Sequence, residues 1–518
     1  MWSCASSAIE ARRRQGRRLG RERMAFVLRD IHIGVCNIPS PEASHMSYLT
    51  KQPKRPLTAE AVEELATGQV KTMSEQLAEW ALGIRFSDSP YDVQQALRSC
   101  LLYNISMALA VNPHSDRLGT ILEGAAQSPG PVPTFMGRGS RSVTDAAFIN
   151  AGLVTARGQN DTHPDTLAHI GCVVIPAVLA AANVARPCPS DVVDALLVGY
   201  EVIPRIAERF GAESAQRGFR ATPIYGVLGA SVACSRVMGL TVQQTVNAIS
   251  IATNLAGGLL QTWIEGTDEW RLQIARASQS AVLAAHLASL GMRGARNSIE
   301  GSSGFAGAYA AAGSSQLDLS GWRVREIAFK PYPGCALNQA PVHSLRTLLL
   351  NTGVNADEVS SVDLFMHPLD ASYPGVDAYG PFTSAAGAIM SAPFMLAATL
   401  IAGRPTATHF ETEFAGGCFH DRARHVHLHA SESIARGRCR ILVQTKSGSS
   451  HTISFDEEAP FRQSWDGALM IARDVSRELD KSSRDDQLAT LVRAVERIDE
   501  QAGLTELEGL IYSPSGAT

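Results

Sequence analysis

The stretch SPYDVQQALRSCLLYNISMA, residues 89–108, reads as the opening of a helix and then as its buried face. Ser89 offers an oxygen to the unpaired amides of a first turn, Pro90 fits that turn without losing a bond, and Asp92 suits its positive end. Behind them Val93, Ala96, Leu97, Cys100, Leu101, Ile105 and Ala108 recur at helical spacing. Outward from here the same pattern repeats. Ser190-Asp191 opens a second stripe of Val193, Leu196, Leu197 and Tyr200, and Thr241 opens a third of Val242, Val246, Ile249 and Ala252. Small residues crowd these segments (Ala180 to Ala182, Ala284-Ala285), which permits close helix–helix approach.

The pattern changes near Gly294. Val324 to Phe329 and Val359 to Met366 read as strands, with a helix over Gln339 to Leu350 between them. Arg438 to Thr445 and Ser450 to Phe455 flank Lys446-Ser447-Gly448-Ser449, a hairpin signal with glycine in the turn. The fold class expected is mainly α with an α+β lid. Residues 57–293 form a large all-helical domain, 294–457 a smaller α/β lid domain, and 458–518 C-terminal helices that pack back on the helical domain.

Composition narrows the function classes. The 518 residues are 45% hydrophobic and 19% charged, which excludes disorder for most of the chain. A net charge of −4 provides no basic field for nucleic acid or an anionic membrane. The apolar run Cys172 to Ala185 contains a proline and is too short to cross a bilayer. Nine scattered cysteines, none as C-x-x-C, argue against disulfides, zinc knuckles and iron–sulfur clusters and for an intracellular setting, cytoplasmic or mitochondrial. Residues 1–56 are arginine-rich. They read as a transit peptide, a disordered tail or an upstream extension, with Met24 and Met46 as alternative starts.

Chemistry concentrates in a few segments. Asn160-Asp161-Thr162-His163-Pro164-Asp165-Thr166-Leu167-Ala168-His169 precedes an apolar helix. Two imidazoles beside carboxylates can move protons, with an aspartate fixing one tautomer; alternatively Asp165 or Thr166 only caps the helix. The two histidines lack a nearby third metal ligand. Gly218-Phe219-Arg220-Ala221-Thr222 suits an anion at a helix entry or is a plain connector. Prolines stiffen Lys330-Pro331-Tyr332-Pro333 and present a lysine to a carboxylate or to solvent. Arg271 is a further carboxylate binder beside Trp270, which reads as packing. His425, His427 and His429 alternate along a strand, and a solvated face is favoured there over a metal site.

In this order, Asn160 to His163 with His169, Gly218 to Arg220 with Tyr225-Gly226, and Lys330 to Pro333 resemble the MmgE/PrpD family, which includes 2-methylcitrate dehydratase and cis-aconitate decarboxylase. Val198 to Val202 and the alanine-rich helix from Ala275 add to the likeness, which runs from about Met73 to Leu510. The resemblance implies a helical domain with a lid, an active site between them, a homodimer, and no metal or organic cofactor. It implies catalytic roles for His163, His169 and Asp161. Thr162, Arg220, Thr222, Arg271, Lys330, Tyr332, Asn338 and Gln339 would bind a small-molecule tricarboxylate. The family commonly carries histidine where Arg220 stands, lysine at Trp270 and histidine at Gln339. These departures favour dehydration of 2-methylcitrate or an alkylcitrate of fungal specialised metabolism. A cis-aconitate-type decarboxylase, a dicarboxylate epimerase and a non-catalytic binding homologue are the alternatives.

Overall fold

The computed structural model describes residues 71–112, 116–310, 317–457, 461–478 and 484–513. The arginine-rich segment 1–56 lies outside the described residues. The first longer helices are α1 (Met73–Gly83), α2 (Tyr91–Leu109), α3 (Arg117–Ala125), α4 (Val143–Val154) and α5 (Gly171–Ala185). They are followed by α6 (Pro189–Gln216), α7 (Ala221–Val237), α8 (Val242–Thr253) and α9 (Glu269–Ser289). Helix α5 is buried on every side from Gly171 to Ala182 and packs against α4, α6, α7 and α9. A helix that is apolar all round belongs in the middle of its bundle, and its alanines let four neighbours approach. Among the described residues no helix is long and apolar enough to cross a membrane.

Local signals set several of these ends. Thr241 caps α8 in a reciprocal box with Gln244. Ser89 does not cap α2: its hydroxyl donates to the Phe86 carbonyl at 2.6 Å, and Pro90 takes the cap position. Helix α6 begins at Pro189, one residue ahead of Ser190-Asp191, without a side-chain cap.

The second part of the chain builds a small mixed sheet from β1 (Val359–Met366), β2 (Val426–Ala430), β3 (Cys439–Thr445) and β4 (Ser450–Phe455). Its order is β2-β1-β3-β4, with β1 parallel to β2 and the other pairs antiparallel. Val362 pairs with Val443 and Leu364 with Ile441, so one face of the sheet is apolar. That face packs on α10 (Gln339–Thr352), and β2 meets α11 (Ala392–Ala402). The molecule is thus mainly helical with a small α/β part.

Residues 324–329 are not a strand. Arg323–Glu326 form a 3₁₀ turn, and Ala328 only bridges singly to Thr162 and Arg462. The amides of Arg323 and Val324 donate to the buried Glu201 carboxylate, at 3.0 and 2.9 Å, so no strand ladder uses them.

Apolar side chains gather into two clusters. One runs from Met73 to Phe329 and resumes in the last helices, α12 (Trp465–Arg477), α13 (Arg484–Glu496) and α14 (Gln501–Ile511). The other runs from Tyr332 to Phe455 and draws in Leu260, Trp263 and Trp270 from before the expected boundary at 293/294. Helices α12 and α13 lie on α2 and α14 packs on α13, with Arg98 bonded to Asp499 at 2.9 Å, and Tyr512 is held by Asn183 of α5 at 2.9 Å. We propose the two clusters as the cores of the helical and α/β domains.

Candidate active site

The loop between α4 and α5 is fixed by a carboxyl group buried inside it. Asp161 Oδ1 accepts from the Gly171 amide at 2.9 Å, and Oδ2 accepts from the Tyr200 hydroxyl at 2.5 Å. Asp161 therefore satisfies the start of α5 from ten residues upstream, a role neither Asp165 nor Thr166 takes. Burial raises its pKa above the ordinary carboxylate value, although these donors pull the other way. Gly171 is required here. A Cβ would lie 2.3 Å from Asn104 Nδ2 and 2.5 Å from the Tyr200 hydroxyl.

The Asp161 carboxylate touches neither imidazole, contrary to the orienting role expected of it. Its backbone carbonyl lies 3.2 Å from His169 Nδ1, and Thr162 Oγ1 lies 3.0 Å from the same nitrogen. The Thr162 hydroxyl donates to the Asn160 carbonyl at 3.1 Å, so its oxygen is free to accept. A carbonyl can only accept, which puts the ring proton on Nδ1 and the lone pair on Nε2. Nε2 has no hydrogen-bond partner among the described residues, and His169 lines a cleft of about 560 Å³ including its mouth. Burial, then the charges of Lys330 and Arg220, hold its pKa well below the usual histidine value. The imidazole is neutral, with a bare nitrogen.

Two cations share the cleft. Arg220 ends the turn before α7, donates to the Trp270 carbonyl at 2.7 Å, and lies over the Trp263 ring at 4.8 Å. Burial lowers its pKa to about 10. Lys330 donates to the Gly158 and Gly334 carbonyls at 3.0 and 3.2 Å, and burial lowers its pKa to about 8. Gly334 has φ +117°, and a Cβ there would fall 2.8 Å from Met395 Sδ. The close turn that presents a carbonyl to Lys330 thus depends on glycine. Sequence reasoning missed Tyr373, Leu167 and Cys335 as lining residues and read Trp270 as packing only. Burial raises the Tyr373 pKa to about 12, so its hydroxyl keeps its proton. No residue type or spacing around Ser372-Tyr373-Pro374 marks it as part of a site.

Other expected site residues lie elsewhere. His163 turns away from the cleft towards Glu208 and Glu326. Thr222 accepts from the His169 amide at 2.9 Å and holds the loop rather than facing the cleft. The Tyr332 hydroxyl pairs with Arg346 at 2.9 Å. Asn338 donates to the Met390 carbonyl at 2.8 Å, and Gln339 bonds the Tyr332 amide and the Cys335 carbonyl, both at 3.0 Å. His425 lies outside β2, and His429 bonds Asp363 at 2.7 Å and stacks on Phe365, so the three alternating histidines do not converge.

Arg271 is also structural. Both its terminal nitrogens bond the buried Asp116 carboxylate, and Nε donates to the Gly152 carbonyl at 2.6 Å. Removing one partner strands a buried charge. Arg271→Ala is therefore expected to destabilise the fold by about 3–5 kcal/mol. Denaturant unfolding checks this, and wild-type stability in the variant would refute the buried-pair account.

Residues 75–317 match the model of the MmgE/PrpD N-terminal domain. The chain is 30% identical over 240 residues to the cis-aconitate decarboxylase-like protein oryM of Aspergillus oryzae. That match covers 44% of this chain and about half, 49%, of the relative. It is 24% identical over 473 residues to the cis-aconitate decarboxylase of Aspergillus terreus, covering 84% of this chain and 95% of that protein. A cis-aconitate decarboxylase of Mus musculus is 30% identical over 202 residues, 37% of this chain and 40% of its own. Residues 75–317 of this chain thus carry an MmgE/PrpD N-terminal domain.

Proposed function

We propose that the protein is an acid–base lyase that eliminates water from a citrate-like tricarboxylate such as 2-methylcitrate or a longer alkylcitrate. The observation that carries this reading is the tautomer of His169, a neutral imidazole with Nε2 bare in a cleft that also holds Arg220 and Lys330. Elimination needs a base for the proton beside a carboxylate, an acid for the leaving hydroxyl, and cations for the carboxylates. His169 Nε2 takes the proton from carbon. The electron pair forms the double bond as the C–O bond breaks, and the hydroxyl leaves as water with a proton from the Lys330 ammonium. Arg220 grips a second carboxylate. The reading includes an intracellular, cytoplasmic or mitochondrial homodimer, whose mass light scattering would give.

Decarboxylation of cis-aconitate is the second reading, supported by the names of the relatives. It asks for a proton donor at the developing carbanion, which Lys330 supplies, and leaves a neutral His169 without a task. Incubation with 2-methylcitrate, citrate and cis-aconitate separates the two. Water loss supports the first reading, carbon dioxide release replaces it with the second, and neither outcome leaves a binding homologue. Arg220→Lys is expected to raise KM at least about tenfold with a smaller change in kcat, because a point charge replaces a planar fork. Steady-state kinetics check this, and an unchanged KM would remove Arg220 from the carboxylate site.

A further inference from the structure

Outside the cleft, His163 presents a buried ring to two carboxylates. The ring is fully buried, and Nδ1 lies 3.2 Å from Thr166 Oγ1. That oxygen accepts from the Ala168 amide at 3.3 Å, and its proton is directed at the His163 carbonyl at 3.5 Å. It can then also accept from Nδ1–H. With the proton on Nδ1, the lone pair on Nε2 faces Glu326 Oε2 at 3.1 Å and Glu208 Oε1 at 3.5 Å; with the Thr166 hydroxyl turned to Nδ1, an Nε2–H donates to Glu326 instead. The first arrangement places a lone pair against two carboxylates and so has room for a positive centre among the three groups.

The spacing suits a metal ion. Ligand atoms at zinc-like bond lengths around a tetrahedral centre are roughly 3.3 Å apart, and 3.1 and 3.5 Å bracket that separation. All three ligand atoms fall within 4.8 Å of one another. The carboxylates are part exposed, 28% and 39%, which leaves a solvent side for a fourth ligand. Thr166 fixes the far ring nitrogen, as partners of metal-bound histidines do. Arg323 Nε donates to Glu208 Oε1 at 2.7 Å and to Asp318 through its terminal nitrogen, so it orients Glu208 and adds a positive charge that weakens cation binding.

We propose that His163, Glu208 and Glu326 bind one zinc-class divalent cation. The ion would tie the loop that carries His169 to α6 and to the turn four residues before Lys330. This does not rest on the proposed reaction. The full chain, stripped with chelator, is titrated with Co²⁺ as a spectroscopic probe and with Zn²⁺ by calorimetry. Saturation at one ion per chain is expected, with the visible absorption of cobalt in an N/O site and displacement by zinc. Glu326→Gln and Glu208→Gln should each weaken binding by at least about tenfold, while His429→Ala leaves it unchanged. Thermal unfolding of each variant establishes that it is folded. No saturable uptake, or uptake unchanged in Glu326→Gln, overturns the proposal and assigns the positive centre to a proton on Nε2.

Discussion

His169→Gln is expected to lower turnover by about two to four orders of magnitude with little change in KM or stability. The geometry gives the direction. His169 Nδ1 is held by the Asp161 carbonyl and the Thr162 oxygen, and glutamine can keep one such bond. What it cannot supply is a basic nitrogen in place of Nε2. His163→Ala should behave differently, since its ring faces Glu208 and Glu326 rather than the cleft. It should lower stability through the loop, with turnover per folded molecule reduced far less than in His169→Gln. Single-turnover kinetics on 2-methylcitrate, paired with thermal unfolding of both variants, make the comparison. If His163→Ala loses more turnover than His169→Gln, the assignment of the base to His169 is wrong.

Lys330 carries the second large effect. Lys330→Met is expected to reduce kcat/KM by at least about a thousandfold, through loss of both a carboxylate anchor and the acid. In the wild type the ammonium is present below pH about 8 and lost above it, so kcat/KM should fall as pH rises through that value. The stability effect has the opposite sign. The folded-state pKa lies below the value of 10.5 for an exposed lysine, so the buried charge opposes folding below about pH 8, and the penalty fades as pH rises to 10.5. The cost is about 3 kcal/mol at neutral pH. Lys330→Met should therefore unfold no more readily than the wild type, which separates lost chemistry from lost folding. A pH–rate profile flat across this range, or a strongly destabilised variant, would count against the assignment.

Local structure was legible wherever its cause was local. The Thr241-Gln244 capping box and the hairpin around Gly448 each depend on neighbours a few residues away, and β1 was legible from its own alternation although its partner strands are distant in sequence. The mainly helical class followed from stripes such as Val93 to Ala108, whose apolar members are all buried in α2. What failed depended on distant partners. Val324 to Phe329 has strand composition, but its amides go to scattered partners: Val324 to Glu201, Ala328 to the Thr162 carbonyl and Phe329 to the Phe461 carbonyl. Arg271 looked free for a ligand because Asp116 lies far away in sequence. His163 and His169 looked equivalent because what separates them, Glu208 and Glu326 beside one and the cleft beside the other, is assembled from distant segments. Arg220, Lys330 and His169 could be picked out from residue type and order, and the structure places them on one cleft. Tyr373 could not.

Asp161 has a further consequence, for how substrate gets in and product gets out. Its carboxyl is bonded to Gly171 and Tyr200, and its carbonyl to His169, while Gly171 has no space even for a methyl group. The wall bearing the base is an anvil. The cleft is also lined by Tyr373, Ile389 and Met390, which belong to the α/β part of the chain and are not tied by that network. Changes to those three side chains would alter residence time and the size of ligand admitted, while proton removal at His169 kept its own rate.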